Sequence, residues 1–183
     1  TQAQAATITS ASGGSIAMTA TRTFAIGDSF NVPPTASELV ILAPISGATF
    51  GITKTGTGSL ELAGTVASTY TGVTTVSAGA LVLNLSGAST GIVSSSSALT
   101  LGSTSNVGVL TVRGSSSGSS SQTMGAFTTT AATYSVIAID PNGGTGTTLT
   151  LGDAWTRGAG STVLIDYASS NSGARSVVTA NAT

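Results

Sequence analysis

Apolar side chains along the chain occur in short clusters with a period of two, separated from one another by Gly, Ser, Thr or Asn. Such alternation is typical of β-strands that bury one face, and no helical periodicity persists beyond one turn. We therefore predict an all-β chain. Its predicted strands lie near residues 23–26, 38–42, 49–52, 59–62, 74–76, 81–85, 99–101, 109–112, 134–139, 148–151, 163–167 and 176–179.

A Leu-x-Leu strand follows a turn rich in Gly, Ser or Thr in three segments, at residues 55–64, 96–103 and 144–153. Leu60, Leu81 and Leu99 recur at a nearly constant spacing. One strand per roughly 20 residues fits the coils of a β-solenoid, in which inward leucines stack on their equivalents in neighbouring coils. The predicted structural core of the repeat is Leu60, Leu62, Tyr70, Val76, Leu81, Leu83, Leu99, Leu101, Leu149 and Leu151.

Residues 52–84 combine several short motifs in a fixed order. A Gly-x-Gly-x-Leu-x-Leu-x-Gly opening begins at Gly56, and Tyr70-Thr71-Gly72, Thr74-Thr75-Val76 and Ala78-Gly79 follow it. This stretch resembles the autotransporter-associated β-strand repeat, or passenger-associated transport repeat, of large bacterial surface proteins. A looser likeness covers residues 143–167, where Trp155-Thr156-Arg157 departs from the Tyr-Thr-Gly core. The resemblance implies a right-handed parallel β-helix that is exported and displayed at the cell surface.

We interpret residues 1–183 as one solenoid domain, with an N-terminal arm and first coils in 1–50. The recognisable repeat then occupies 51–87, and further coils occupy 88–183. A serine-rich tract at 114–121 is interpreted as a flexible surface loop, with bacterial O-glycosylation as the alternative. Many short strands with turns also fit a β-sandwich or jelly-roll subunit like that of a pilin, which stays the alternative fold.

Ser, Thr, Gly and Ala fill 112 of the 183 positions, and only 6% of residues are charged. Without Cys or His the chain has no thiolate, no imidazole base and neither of two common metal ligands. A net charge of −1 gives no footprint for nucleic acid or an anionic membrane. No apolar run is long enough to cross a bilayer. The small residues of the opening segment 1–6 indicate a leader removed nearby, and hence an extracellular location.

Catalysis is not predicted, and we expect no catalytic residue, cofactor or metal. The best acidic pattern is Asp140, Asp153 and Asp166, whose equal spacing is shorter than a coil of about 20 residues. Tyr70 is expected to pack its ring at a coil corner with its hydroxyl on the backbone. Trp155, beside Arg157, is expected to serve in cation-π or coil-edge packing rather than as a ligand platform.

Three functions without catalysis are compatible with these features. The first is a structural subunit that polymerises head to tail, with the N-terminal arm adding a strand to the next copy, because few charges and no evident cap protect the coil ends. The second is a surface adhesin that binds a host or matrix partner. The third is ice binding by outward threonines, which is disfavoured because only Thr100 and Thr150 repeat the Leu-Thr-Leu triplet. The other residues expected to point outward include Thr111, and also Glu61 and Val82, which interrupt the threonine row.

Overall fold

The computed structural model describes residues 5–11, 13–30, 36–167 and 171–179. Within them the chain makes about six turns of a β-solenoid in which all paired strands are parallel, so the predicted fold class is confirmed. A coil runs along three faces of the solenoid in a constant order. Alternating apolar and β-branched residues favour these strands because one side of each strand faces a shared interior.

The first face is a seven-stranded sheet of β1 (Ala6–Ile8), β4 (Leu39–Ile41), β7 (Ser59–Ala63), β9 (Gly79–Asn84), β11 (Gly108–Arg113), β14 (Tyr134–Asp140) and β17 (Thr162–Asp166). The second face contains two separate groups, β2 (Ile16–Ala17) with β5 (Ile45–Ser46), and β12 (Ser119–Met124) with β15 (Gly146–Leu151) and β18 (Ala174–Thr179). The third face is a six-stranded sheet of β3 (Arg22–Ala25), β6 (Ile52–Thr55), β8 (Thr74–Val76), β10 (Leu99–Leu101), β13 (Phe127–Thr129) and β16 (Trp155–Arg157).

Coil length changes along the chain. Leu39, Leu60 and Leu81 stack directly on one another at two equal steps, and these steps are close to the predicted coil. The next stacked positions are Leu110, Ile137 and Ile165, and each of these steps is longer. The later coils are longer because their second face is longer, first in the segment 85–98 and then in the six-residue strands β12 and β15.

The three Leu-x-Leu segments lie on three different faces, which corrects the proposed alignment of the repeats. Leu60 pairs with Leu81 in the first sheet, whereas Leu99 pairs with Thr74 and Phe127 in the third. Leu149 belongs to the second face, where it pairs with Gln122 and Val177. The same local pattern serves on every face because each strand presents alternate residues to one central core.

Other local predictions are also corrected. The strand expected at 49–52 is Ile52–Thr55, since a turn closed by Phe50 N–H on the carbonyl of Gly47 precedes it. The serine-rich tract is a loop only in part, because Ser119–Met124 is a strand and Ser120 is buried within it. The residues of the N-terminal arm before residue 5 lie outside the described residues, and β1 pairs with β4 of its own chain.

Candidate functional site

All ten residues proposed as the core of the repeat lie in the solenoid interior, and each is at most 2% exposed. They line the interior from all three faces rather than from one. Among the residues expected to point outward, Glu61 and Thr111 flank Val82 in one column of the first sheet. Val82 is nevertheless only 7% exposed, so an outward position here does not mean a solvated side chain.

Tyr70-Thr71-Gly72 closes the corner between the second and third faces. The Tyr70 ring is fully buried, and its hydroxyl hydrogen-bonds the hydroxyl of Thr74 at 2.8 Å, rather than the backbone as expected. The Thr74 hydroxyl also hydrogen-bonds the hydroxyl of Ser97 at 2.8 Å. The Ser97 hydroxyl in turn donates to the carbonyl of Gly72 at 2.7 Å. Burial raises the pKa of Tyr70, and the hydrogen bonds to Thr74 and Ser97 oppose this rise only in part.

Thr71 and Gly72 attach this corner to the preceding coil. The backbone N–H of Thr71 donates to the carbonyl of Ala48 at 2.6 Å, and the N–H of Gly72 donates to the carbonyl of Phe50 at 3.1 Å. A Cβ at Gly72 would come within 2.4 Å of the carbonyl carbon of Phe50 and of the carbonyl oxygen of Thr49. Only glycine allows this approach of two backbones, which explains the residue types of the motif.

Lys54 is a buried cation that sequence reasoning missed. Its side chain has no exposed surface, and its Nζ donates to the carbonyls of Thr55 at 2.9 Å, Gly56 at 2.9 Å and Ala78 at 3.2 Å. Burial lowers the pKa of Lys54 to about 8, although the charge of Glu38 opposes that shift. The signal was available, because period-two alternation places Lys54 on the same inward side as Ile52.

Glu38 lies close enough to Lys54 to affect its pKa, and Ser59 hydrogen-bonds the Glu38 carboxylate. Desolvation acts to raise the pKa of Glu38, but the backbone N–H and the hydroxyl of Ser59 both donate to its carboxylate and bring the pKa below its ordinary value. A charged carboxylate with these donors is satisfied by hydrogen bonding. The pair links β7 to the segment before β4, so it is a structural contact between consecutive coils.

Gln122 bridges the interruption of the second face. Its side chain is 1% exposed, and its carbonyl oxygen accepts hydrogen bonds from the backbone N–H groups of Ile92 at 2.8 Å and Val93 at 3.2 Å. Its amide nitrogen donates to the carbonyl of Val93 at 2.9 Å. The side chain thus replaces part of a missing strand. A polar cleft of about 380 Å³ lies alongside, lined by Ser68, Thr69, Thr90, Ser94 and Thr123 among others.

Two ion pairs lie together on the first face. Arg113 is 3.9 Å from Glu61 and 3.6 Å from Asp140, and Asn84 donates to Glu61 at 2.7 Å. Asp140 also accepts hydrogen bonds from Asn142 N–H and the Asn171 amide. The three aspartates considered in the sequence are therefore not gathered into one site, since Asp153 follows β15 on another face. Within the described residues no three acidic side chains are grouped to hold a metal ion.

The end of the solenoid formed by β16, β17 and β18 exposes residues of the interior. Phe127 and Trp155 occupy equivalent inward positions on adjacent strands, with ring centroids 5.1 Å apart and ring planes at 79°. Phe127 is 2% exposed and Trp155 is 48% exposed. Arg157 donates to the carbonyl of Ser161 at 2.8 Å, and the ring of Trp155 packs edge to face against Phe127. An apolar cavity of about 230 Å³ lies between Trp155, Phe127 and Val163.

These features define a parallel β-solenoid in which residues 52–83 span parts of consecutive coils that Lys54 and the Tyr70 corner tie together. This same segment matches the family model described as Passenger-associated-transport-repeat, which confirms the resemblance seen in the sequence. The repeat indicates an autotransporter passenger-type surface protein. No curated protein and no solved structure matches the chain. The described residues contain no helix of the length and apolarity needed to span a bilayer.

Proposed function

We propose that this chain is a non-catalytic structural segment of a bacterial surface protein, and that copies of it assemble head to tail into an extracellular fibre or sheath. The observation that supports this proposal is the exposure of interior positions at the end formed by β16, β17 and β18. Ile137 and Leu149 are at most 1% exposed, whereas the residues stacked on them in the last coil, Ile165 and Val177, are only partly buried.

The opposite end of the described solenoid offers a matching surface. Phe24 stacks on Lys54 of the next coil and Ile16 stacks on Ile45, yet both Phe24 and Ile16 are only partly buried. Unpaired N–H and C=O groups along such edge strands pair readily with another strand. A contact between two different ends does not close on itself, so it produces filaments rather than dimers.

The third-face strand of this end carries little charge to protect its edge, which supports the same proposal. Proteins protect exposed strand edges with charged side chains, especially Lys, or with a covering helix or loop. Here the last strand of the third face carries one charge, Arg157, and its guanidinium is bonded to the carbonyl of Ser161. The other two strands of this end carry Asp166 and Arg175, each of which also has an interaction partner. Trp155 and Val163 beside it offer apolar surface for a second copy.

Sedimentation velocity over a range of protein concentrations, followed by negative-stain microscopy, tests this proposal. Wild-type protein should form species that grow with concentration and appear as filaments. Trp155→Lys should remain monomeric, because it places a charge on the apolar end. Val66→Lys is the matched control, since Val66 is 56% exposed on an internal coil, and this variant should assemble like wild type. Monomeric wild-type protein at all concentrations would reject the proposal.

A surface adhesin is the second candidate, and one cleft favours it. The cleft measures about 500 Å³ and is lined by Asn106, Thr133, Tyr134 and Thr162 among others. Tyr134 is 56% exposed, so its ring is available beside hydroxyl and amide groups that can hydrogen-bond a ligand. A glycan array tests this function. Binding that disappears in Tyr134→Ala and persists in Trp155→Lys supports an adhesin, and an array without signal rejects it.

A further inference from the structure

Six threonines form one uninterrupted column along the outer side of the third face. The parallel registers place one threonine directly above the next from β3 to β16, with one in each coil. Neighbouring strands are about 4.8 Å apart, so six rungs span about 24 Å. The column consists of Thr23, Thr53, Thr75, Thr100, Thr128 and Thr156.

The column cannot be recognised from the sequence, because the coils of the solenoid differ in length. The Leu-Thr-Leu triplets around Thr100 and Thr150 lie on different faces, since Thr150 pairs with Thr123 and Val178 on the second face. Glu61 and Val82, which the sequence predicts to interrupt a threonine row, belong to the first sheet. Neither residue interrupts the threonines of the third face, which form a regular array.

The positions that flank the column are small and uncharged. Residues two positions before or after each threonine share its side of the sheet. In all six coils these positions hold Gly, Ala, Ser or Thr, with Val73 as the one larger side chain. Charged groups would hold water in hydration shells of their own geometry, and they are missing from these positions in the described strands. The surface is thus an even strip of methyl and hydroxyl groups.

The column hydroxyls are available to water. None of the six takes part in a hydrogen bond within the described part of the chain. Each can donate one hydrogen bond and accept two. Because Thr is branched at Cβ, its χ1 angle is restricted, and the paired backbone fixes the distance between rungs. The column therefore presents one hydroxyl per strand at a regular interval of about 4.8 Å, which is similar to a repeat distance of the ice lattice rather than to the shorter distance between neighbouring water molecules.

From this regularity we propose that the threonine column of the third face binds the surface of ice. Water held at fixed intervals by the hydroxyls joins the lattice, while the methyl groups between them face its open spaces. The rigid strands favour binding, because the protein loses little conformational entropy when it orders water on this surface. This proposal rests on the third face and is independent of end-to-end assembly.

Ice-affinity partition and thermal hysteresis test the proposal. In the first assay ice grows slowly from a dilute protein solution, and the fraction of protein incorporated into the ice is measured. We expect wild-type protein to be enriched in the ice and to separate the melting and freezing points. Thr100→Lys, in the middle of the column, should lower both signals at least tenfold. Thr111→Lys, on the first face, adds the same charge and should behave like wild type.

Two further variants keep the outcome decisive. Thr100→Val removes one hydroxyl with little change in volume, so a reduced signal in this variant supports the proposal even if Thr100→Lys fails to fold. Trp155→Lys should keep full ice binding whether or not it assembles, which separates this inference from the proposed fibre. Wild-type protein excluded from ice, like a non-binding control protein, overturns the proposal. Lateral association that Thr100→Lys abolishes, without ice binding, also overturns it and assigns the column to packing between copies.

Discussion

Lys54 and Ala78 lie in consecutive coils, and the buried ammonium of Lys54 donates a hydrogen bond to the carbonyl of Ala78 at 3.2 Å. The same ammonium bonds the carbonyls of Thr55 and Gly56, so one side chain joins the turn before β7 to the turn before β9. A buried charge is tolerated only when its donors are satisfied. At this level of the interior, hydrogen bonds from Lys54 to Thr55, Gly56 and Ala78 take the place of apolar packing. We call this arrangement the Lys54 clamp.

This clamp predicts a rise in stability at mildly alkaline pH. The pKa of Lys54 is about 8 in the folded chain and 10.5 ordinarily, so between these values the unfolded chain binds more protons than the folded chain. The free energy of unfolding then increases with pH, by at most about 1.4 kcal/mol per pH unit for one proton. Urea denaturation between pH 8 and 9.5 measures the slope, below the range where Tyr70 contributes in the opposite sense.

Lys54→Met is the comparison for that experiment. The variant should lose the alkaline increase, whatever its stability at neutral pH, because it has no amine to titrate. A wild-type free energy of unfolding that is constant or falling between pH 8 and 9.5 would contradict a depressed pKa for Lys54. An equal slope in wild type and variant would assign the effect to another group.

Gly72→Ala should destabilise the chain by about 3 kcal/mol or more, since backbone must move to admit the methyl group. The added Cβ would lie 2.4 Å from backbone atoms of the preceding coil. Gly27→Ala is the control, because a Cβ at Gly27 has no neighbour within 4 Å among the described atoms. Thermal melts of the two variants provide the comparison, and similar melting temperatures would argue against the close approach at Gly72.

Substitution of Gln122 tests the bridge across the second face. Gln122→Met keeps a similar length but leaves the N–H groups of Ile92 and Val93 and the carbonyl of Val93 without their partner. Each buried polar group left unpaired costs about 1 to 3 kcal/mol. With three groups unpaired, we expect a loss of about 3 kcal/mol or more in urea denaturation and faster hydrogen exchange at Ile92 and Val93. Unchanged exchange at these two amides would show that the bridge is not formed.

The alternation of inward and outward residues has an energetic consequence. Leu81→Ala should lower the free energy of unfolding by about 2 to 5 kcal/mol, because Leu81 has no exposed surface. Thr100→Ala, at an outward position of β10, should cost under about 0.5 kcal/mol. Both values come from denaturant titrations. Equal losses in the two variants would reject the assignment of these positions to the interior and the exterior.

The sequence predicts the fold class and most strands because period-two alternation is a local property that survives in any coil. Register is not local. Leu99 and Leu149 begin the same Leu-x-Leu pattern as Leu60, yet each lies on a different face, since the number of residues per coil changes after Leu81. The short strand β16 was not predicted, because three residues that include Thr156 and Arg157 are too few and too polar to show apolar alternation.

Features of the candidate sites were predictable to different degrees. Tyr70 and Gly72 could be singled out from their motif, although the hydroxyl chain through Thr74 depends on a contact with Ser97 in the next coil. The partners of Gln122 lie in the preceding coil, far from Gln122 in sequence, so no local sequence pattern predicts them. The threonine column could not be predicted for the same reason, because its members align only once the coil lengths are known.

Disulfide formation between engineered cysteines tests the central claim, which is the register that stacks the third face. The chain has no cysteine, so each pair can be examined without interference. Thr75 and Thr100 are direct neighbours on adjacent strands, at a separation of about 4.8 Å that a disulfide can bridge. Thr75→Cys combined with Thr100→Cys should crosslink under mild oxidation without loss of stability. Val82→Cys combined with Thr100→Cys, the pair that stacking Leu99 on Leu81 would align, should stay reduced. The reverse result would contradict the three-faced solenoid described above.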